Sequence, residues 1–201
     1  MKKIMFNDRY GLTQAVLDGK KTMTRRIIKG DFEDIKAYHA NGGWHFIADT
    51  KDGDSVEVKP AYEIGEKVAI AQKYWDLRNC DAFYELLQKA DPTFPLECIR
   101  GERGCDNKMY VRADWMPHRI RITDIQLQRM NKITDEDCLK EGVEKWIDCY
   151  IVSGIMENQG KNNVCFDTPH EAFAALIDRI SGKGTWQRNP WVYVYTFELL
   201  R

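Results

Sequence analysis

Residues 119–127 read RIRITDIQL, with branched apolar side chains at positions 120, 122, 125 and 127. Alternation of apolar and polar residues with a period of two is typical of a half-buried β-strand. The alternation slips by one position near Asp124, which predicts a β-bulge, an extra residue on one strand of a pair. This stretch therefore predicts a long bulged strand, and the alternating residues 191–199 predict another one.

The predicted helices are few and short. Thr168, Pro169 and Glu171 have the composition of a helix start: a threonine cap, a proline in the first turn and an acid at the third position. Thr134 and Asp137 predict the start of a second helix in the same way. Because strands are dispersed along the chain and helices are few, the sequence predicts an α+β fold, a small mixed β-barrel with short helices covering its ends.

The length of 201 residues predicts a single domain over residues 1–201. Two segments have a different character from their surroundings. Residues 78–107 contain Pro and Gly breaks around one short helical pattern, and residues 147–167 are rich in Asn and Gly. Both segments are predicted to be surface insertions.

Composition excludes several classes of protein. With 30 Lys+Arg against 31 Asp+Glu the net charge is −1, which argues against a globally basic nucleic-acid coat and an acidic disordered tail. Apolar runs are too short to span a membrane, and the N-terminal sequence MKKIMFNDRYG is no signal peptide, so a cytoplasmic location is expected. The six cysteines lack zinc-type spacing, which predicts reduced thiols and no metal site.

The densest positive charge lies at residues 19–29, which read GKKTMTRRIIK and hold five cations and no acid. A run of charge is usually a solvated face. Here two threonines alternate with the cations, and hydroxyl and guanidinium groups together suit a polar or anionic ligand. Composition alone leaves both interpretations open.

The pattern GxKTxTRR at residues 19–26 resembles the signature that opens ASCH domains, members of the superfamily built on the PUA-like β-barrel. Other blocks resemble later parts of the same family, in the same order, and the C-terminal block resembles the larger ASCH proteins often encoded in phages and prophages. These blocks are YEIGEKV at 62–68 with Trp75, WMPHRI at 115–120, ITDEDCLKEGV at 133–143, and the segment from Phe173 to the final strand. The resemblance implies a PUA-like barrel.

Some small ASCH proteins are amidohydrolases that remove an acyl group from the exocyclic amine of cytidine. The resemblance implies that Lys21, Thr24 and Glu141 are the catalytic residues. Thr24 would be the nucleophile and Lys21 its base, while Glu141 would hold Lys21 or move a proton to the leaving amine. Lysine can act as a base near neutral pH only if burial or neighbouring cations lower its pKa.

Strand geometry restricts how two of these residues can meet. On a regular strand, Thr24 shares a face with residues 22 and 26, whereas Lys21 shares the other face with residues 23 and 25. Lys21 can therefore meet Thr24 only from a turn before the strand or across a bulge.

We further predict substrate contacts from Thr22, Arg25, Arg26, Trp75 and Arg119, with a modified nucleoside or a short RNA as the ligand. No cofactor or metal and no obligatory protein partner are predicted. The alternative function is a non-catalytic RNA-binding module of the PUA-like class. In that case either Tyr74 or Trp75 stacks on a base, and the phosphates are contacted by Arg25, Arg26, Lys29, Arg119 and Arg121.

Overall fold

The computed structural model describes residues 1–40, 43–156 and 162–200, which contain ten strands and five α-helices. The strands are β1 (Lys3–Ile4), β2 (Met23–Ile27), β3 (Phe32–Ala40), β4 (Gly43–Thr50), β5 (Ser55–Val58), β6 (Lys67–Ile70), β7 (Arg119–Arg129), β8 (Glu144–Trp146), β9 (Cys149–Ile151) and β10 (Trp191–Leu200). The helices are α1 (Leu12–Leu17), α2 (Asp81–Ala90), α3 (Asp135–Lys140), α4 (Pro169–Ser181) and α5 (Thr185–Arg188). The predicted α+β class is confirmed.

The two strands predicted from alternation, β7 and β10, are neighbours in the main sheet. Its strand order is β1-β6-β7-β10-β2, and β10 pairs antiparallel with both β7 and β2. Residues 192–195 of β10 are all buried, because this strand is covered on both faces. The position of β2 is therefore set by a strand that lies more than 160 residues further along the chain.

The predicted bulge is also confirmed. Thr196 of β10 pairs with Asp124, whereas the next residue, Phe197, pairs with Ile122. Thr123 is thus the extra residue on β7. One inserted residue reverses the face to which every later residue of the strand points. The extra residue therefore lets the apolar side chains before and after the slip point to the same, inward face.

The remaining strands form two smaller sheets, β3-β4-β5 and β8-β9. Among the described residues the strand pairs make three separate sheets and no closed barrel. The coarse α+β architecture is therefore established, while the PUA-like barrel stays a prediction.

Both predicted helix starts have the expected cap. The Thr168 hydroxyl accepts a hydrogen bond from the backbone N–H of Glu171, and the Thr134 hydroxyl accepts one from Asp137, each at 3.2 Å. Helix α4 then buries Phe173 in the main core. At the start of α3, the Asp137 carboxylate points to an arginine of β2, as described below.

The two segments predicted as insertions differ in structure. Residues 78–107 contain α2, whose Phe83 and Leu87 pack with Tyr74 and Trp115 in a second, smaller apolar cluster. The segment 147–167 includes β9, but its residues 157–161 lie outside the described part of the chain. In the described ranges no helix has both the length and the apolar character needed to cross a membrane.

Two tyrosines of β10 provide a test of this packing. Both side chains are buried, but the Tyr195 hydroxyl accepts a hydrogen bond from the N–H of Ala61 at 2.8 Å, whereas the Tyr193 hydroxyl has no partner among the described residues. Removing one partner of a buried hydrogen bond costs about 1–3 kcal/mol. We expect Tyr195→Phe to lower the free energy of unfolding by about 1–2 kcal/mol in urea denaturation.

The matched change Tyr193→Phe removes a buried hydroxyl that bonds to no described residue, so it should leave the free energy of unfolding unchanged or raise it. Equal losses in the two variants would contradict the proposed contribution of the Tyr195–Ala61 hydrogen bond.

Candidate functional site

The centre of the candidate site is a buried ion pair between Lys21 and Glu141. Lys21 lies two residues before β2, and Glu141 directly follows α3 and caps its C-terminal end. The Lys21 Nζ donates to Glu141 Oε2 at 2.7 Å and to the Glu141 backbone carbonyl at 2.6 Å. The two residues are only 2% and 4% exposed. Lysine is rarely buried without a partner, and here one glutamate supplies two acceptors.

A glycine makes this approach possible. Gly142 follows Glu141 with φ +104°, a value that L side chains rarely adopt. A Cβ at this position would lie 2.9 Å from Leu12 Cδ2 and 3.8 Å from Lys21 Cδ. The missing side chain thus lets the chain reverse at the end of α3 while Leu12 and the Lys21 stem pack against its backbone.

Arg25 extends the pair into a network of four charges. Its Nη1 donates to Glu141 Oε1 at 3.1 Å, and its Nη2 donates to Asp137 Oδ2 at 2.9 Å. The Arg25 side chain is fully buried. Two cations and two carboxylates therefore balance, which is the condition under which charges are tolerated in a protein interior.

The protonation of Lys21 is shifted by these surroundings. Burial, which penalises the charged ammonium, lowers the pKa of Lys21, and the Glu141 carboxylate opposes this shift in part. The positive charges of Arg26 and Arg25 lower the pKa further. Lys21 therefore loses its proton more easily than an ordinary lysine, which is the property required of a lysine base.

The ion pair forms one wall of a cavity of about 630 Å³. Residues 5–9 of the N-terminal turn, residues 24–27 of β2, residues 106–108 and one face of α4 also line it. Among the lining residues, the Lys108 ammonium donates to the Phe6 carbonyl and, at 2.7 Å, to Asp8 Oδ1. A cavity of this size is within the ordinary range for small-molecule sites.

Thr24 lies in the wall of the same cavity as Lys21. Its side chain is buried, with 5% of the residue exposed. Because Lys21 precedes β2, the alternation of strand faces does not separate it from Thr24. Lys21 thus lies before the strand, as one of the two predicted arrangements requires, and the meeting of its side chain with Thr24 stays a prediction.

Arg26 also lines the cavity, where it is partly anchored. Its Nη2 donates to the Met5 carbonyl at 2.7 Å, and its Cζ lies 5.9 Å from the centre of the Phe6 ring. Its buried Nε–H has no partner among the described residues.

The structure brings Lys21, Thr24, Glu141, Arg25 and Arg26 together, but not the other predicted contact residues. Thr22 does not line the cavity; its backbone N–H donates to Lys140 and its carbonyl accepts from Phe197. Trp75 is exposed in a different depression, with the Arg78 guanidinium 4.8 Å from its ring centre. Arg119 lines a third depression.

Three parts of the site were absent from the sequence prediction. Asp137 precedes Glu141 by four residues, so helical spacing places both carboxylates on one face and offered a signal. The apolar stripe of α4 was predicted only as part of the core. In the sequence, a helix face that lines a cavity has the same apolar pattern as a face that packs in the core. Lys108 has no local signal, because its partners lie about 100 residues earlier.

The cysteines require a correction. Cys149 and Cys165 are joined in a disulfide, so the prediction of reduced thiols is wrong for this pair. The antiparallel bridge between Tyr150 and Phe166 joins the two segments that carry these cysteines. Burial raises the pKa of Cys138 to about 12, so this neighbour of the network is a protonated thiol rather than a nucleophile at neutral pH.

In the part of the chain that the structure describes, no group of three or more His, Cys, Asp or Glu side chains has a metal-binding arrangement. No protein-family model matches the chain, and neither a curated protein nor a solved structure similar to it was found.

The buried network makes a prediction for stability. Glu141→Gln removes the carboxylate shared by Lys21 and Arg25, and breaking a buried ion pair typically costs about 3–5 kcal/mol. We expect a loss of about 3 kcal/mol or more in the free energy of unfolding, measured by urea denaturation.

The control is Glu136→Gln on the same helix, whose carboxylate is 77% exposed and pairs with Lys140 at 2.7 Å. Exposed pairs contribute little, so this variant should unfold like the wild type. Adding Lys21→Met to Glu141→Gln should recover part of the loss, because the unpaired ammonium is then gone. Strict additivity of the two changes would contradict a direct Lys21–Glu141 coupling.

Proposed function

We propose that this protein hydrolyses an amide on an acylated, cytidine-type nucleoside. The observation that carries the proposal is a buried lysine with a lowered pKa in the wall of a cavity that Thr24 also lines. A hydroxyl becomes a useful nucleophile only when a base takes its proton, and an amine with a lowered pKa is such a base.

In the proposed reaction the Thr24 oxygen attacks the acyl carbon while Lys21 takes the hydroxyl proton. An ester forms at Thr24, the carbon–nitrogen bond breaks, and the leaving amine receives the proton from Lys21. Water then adds to the ester, which releases a carboxylic acid and restores the Thr24 hydroxyl. The balance requires only substrate and water.

We assign Glu141 to holding Lys21 rather than to proton delivery. Its Oε2 accepts from Lys21 and its Oε1 accepts from Arg25, so both oxygens are engaged. A neutral Lys21 amine has two hydrogens, which match its two acceptors on Glu141, and its lone pair is then free for the threonine proton. Glu141 is therefore a positioning residue.

Support for a nucleoside comes from the polar part of the cavity. Asn7, Asp106 and Asn107 line it together with Arg26. These groups can donate to and accept from a base and a ribose, which carry both donors and acceptors. The segments 19–26 and 133–143 resemble ASCH domains, and this resemblance implies a PUA-like barrel. We propose both the family and the barrel together with this activity.

We expect purified protein to release cytidine from acylated cytidines. The amount of cytidine released is measured by chromatography. Lys21→Met and Thr24→Val should each lower kcat/KM by about 100-fold or more, the usual size of an acid–base or nucleophile contribution. Thr123→Val, an exposed change at the β7 bulge, should leave kcat/KM unchanged. Circular dichroism establishes that each variant is folded.

Turnover that survives both Lys21→Met and Thr24→Val would make the site assignment wrong. If wild type hydrolyses none of the acylated cytidines, the enzymatic proposal fails. Salt-sensitive binding of a short RNA would then favour the alternative, a binding module, whose exposed aromatic is Trp75 with Arg78 beside it.

The pH dependence of the reaction follows from the pKa shift of Lys21. Only the neutral amine is a base, so kcat/KM should rise with pH through the pKa of Lys21, at a pH below the ordinary lysine value of about 10.4. Because the Arg26 charge lowers this pKa, Arg26→Gln should move the rising limb to higher pH. Lys20→Gln, at an exposed lysine that pairs with Glu144, is the control and should not move the limb. A limb unmoved by Arg26→Gln would argue against Lys21 as the base.

A further inference from the structure

The cavity has an apolar wall that the proposed reaction does not yet use. Phe173, Leu176, Ile177 and Ile180 of α4 all line it. Their spacing of three and four residues places them on one face of the helix. Phe173, Leu176 and Ile177 are packed in the core behind this wall, and Ile180 is the residue of the face that is open to solvent.

The polar and apolar walls meet at Phe173. The Arg25 Cζ lies 6.0 Å from the centre of the Phe173 ring, so this ring marks the end of the charged network. From here α4 rises about 1.5 Å per residue, so Ile180 lies roughly 10 Å further along, the span of an aliphatic chain of about eight carbons. Phe173 is buried, whereas Ile180 is 40% exposed, so the apolar wall runs from the interior to the surface.

A second isoleucine strengthens this observation. Ile27, at the end of β2, also lines the cavity and is 37% exposed. Leaving large apolar side chains in contact with water costs free energy in proportion to their area. Two such isoleucines lining one cavity that also has buried apolar walls indicate that its ligand has an apolar part.

We infer that the acyl group of the substrate is an aliphatic chain of about six to eight carbons, rather than an acetyl group, and lies along α4. This inference rests on the proposed function. The carbonyl carbon lies at Thr24, the nucleoside occupies the polar side with Arg26 and Asn107, and the chain extends past Leu176 toward Ile180 and Ile27. The apolar wall thereby selects the length of the acyl group.

Binding tests the chain site independently of hydrolysis. Cytidines that carry an alkyl group on the exocyclic amine have no amide to cleave, so their affinity is measured by calorimetry. Each methylene fully removed from water is worth about fourfold in affinity. We expect the hexyl compound to bind wild type at least tenfold tighter than the methyl compound.

Matched isoleucine-to-threonine changes locate the chain. Ile27→Thr and Ile180→Thr should each reduce the hexyl advantage by about threefold or more and leave binding of the methyl compound unchanged, which also shows that the variants are folded. Ile64→Thr, at an exposed isoleucine in another depression, should keep the full advantage. Equal affinity of wild type for both compounds would overturn the inference.

Hydrolysis separates this inference from the proposed function. Hexanoylcytidine should have a kcat/KM at least tenfold above that of acetylcytidine. If only acetylcytidine is hydrolysed efficiently, the chain site is wrong and the reaction stands. If the hexyl advantage is observed but no acylcytidine is cleaved, the aliphatic site stands and the reaction is wrong. If neither is observed, both are wrong.

Discussion

Burying the Lys21 ammonium removes its hydration, so the fold must bring a carboxylate to it, and Glu141 comes from 120 residues further along the chain. This requirement fixes the end of α3 against the residues before β2. It explains the glycine at position 142, where a side chain would collide with Leu12. It also explains why Arg25 and Asp137 are close by: each added charge is balanced by another.

The sheet supplies the frame for this network. Strand β10 pairs with the long β7 on one side and with β2 on the other. Pairing with β10 therefore fixes β2 at the edge of the sheet. Helix α3 contacts β2, and α4 lies against α3. The site is therefore a junction between the sheet edge and two helices, with residues 106–108 and the N-terminal turn completing the cavity.

The polar and the apolar residues that line the cavity lie at different ends of it. The charged network lies at the buried end of α4, and the isoleucines lie toward the open end. A ligand that fits both walls has a polar head and an apolar arm, joined near Thr24. The overall net charge of −1 does not reveal this arrangement, because acids elsewhere in the chain offset the five cations of residues 19–29.

Local patterns determined a large part of the fold. Alternation predicted β7 and β10, the phase slip near Asp124 predicted the bulge, and threonine caps predicted the starts of α3 and α4, since these features depend on neighbouring residues. The sequence also singled out the 19–26 segment as the candidate site. What alternation could not predict is strand pairing across the chain, so it left the sheet order undetermined.

Only the tertiary structure decided which candidate residues meet. The sequence placed Trp75 and Arg119 with Lys21, and the fold places each in a separate depression. It also decided that the stripe of α4 lines a cavity and that Cys149 pairs with Cys165. The physical reason is the same in each case. Helix and strand periods fix the direction of a side chain relative to its own element, whereas proximity between elements depends on packing over the whole chain.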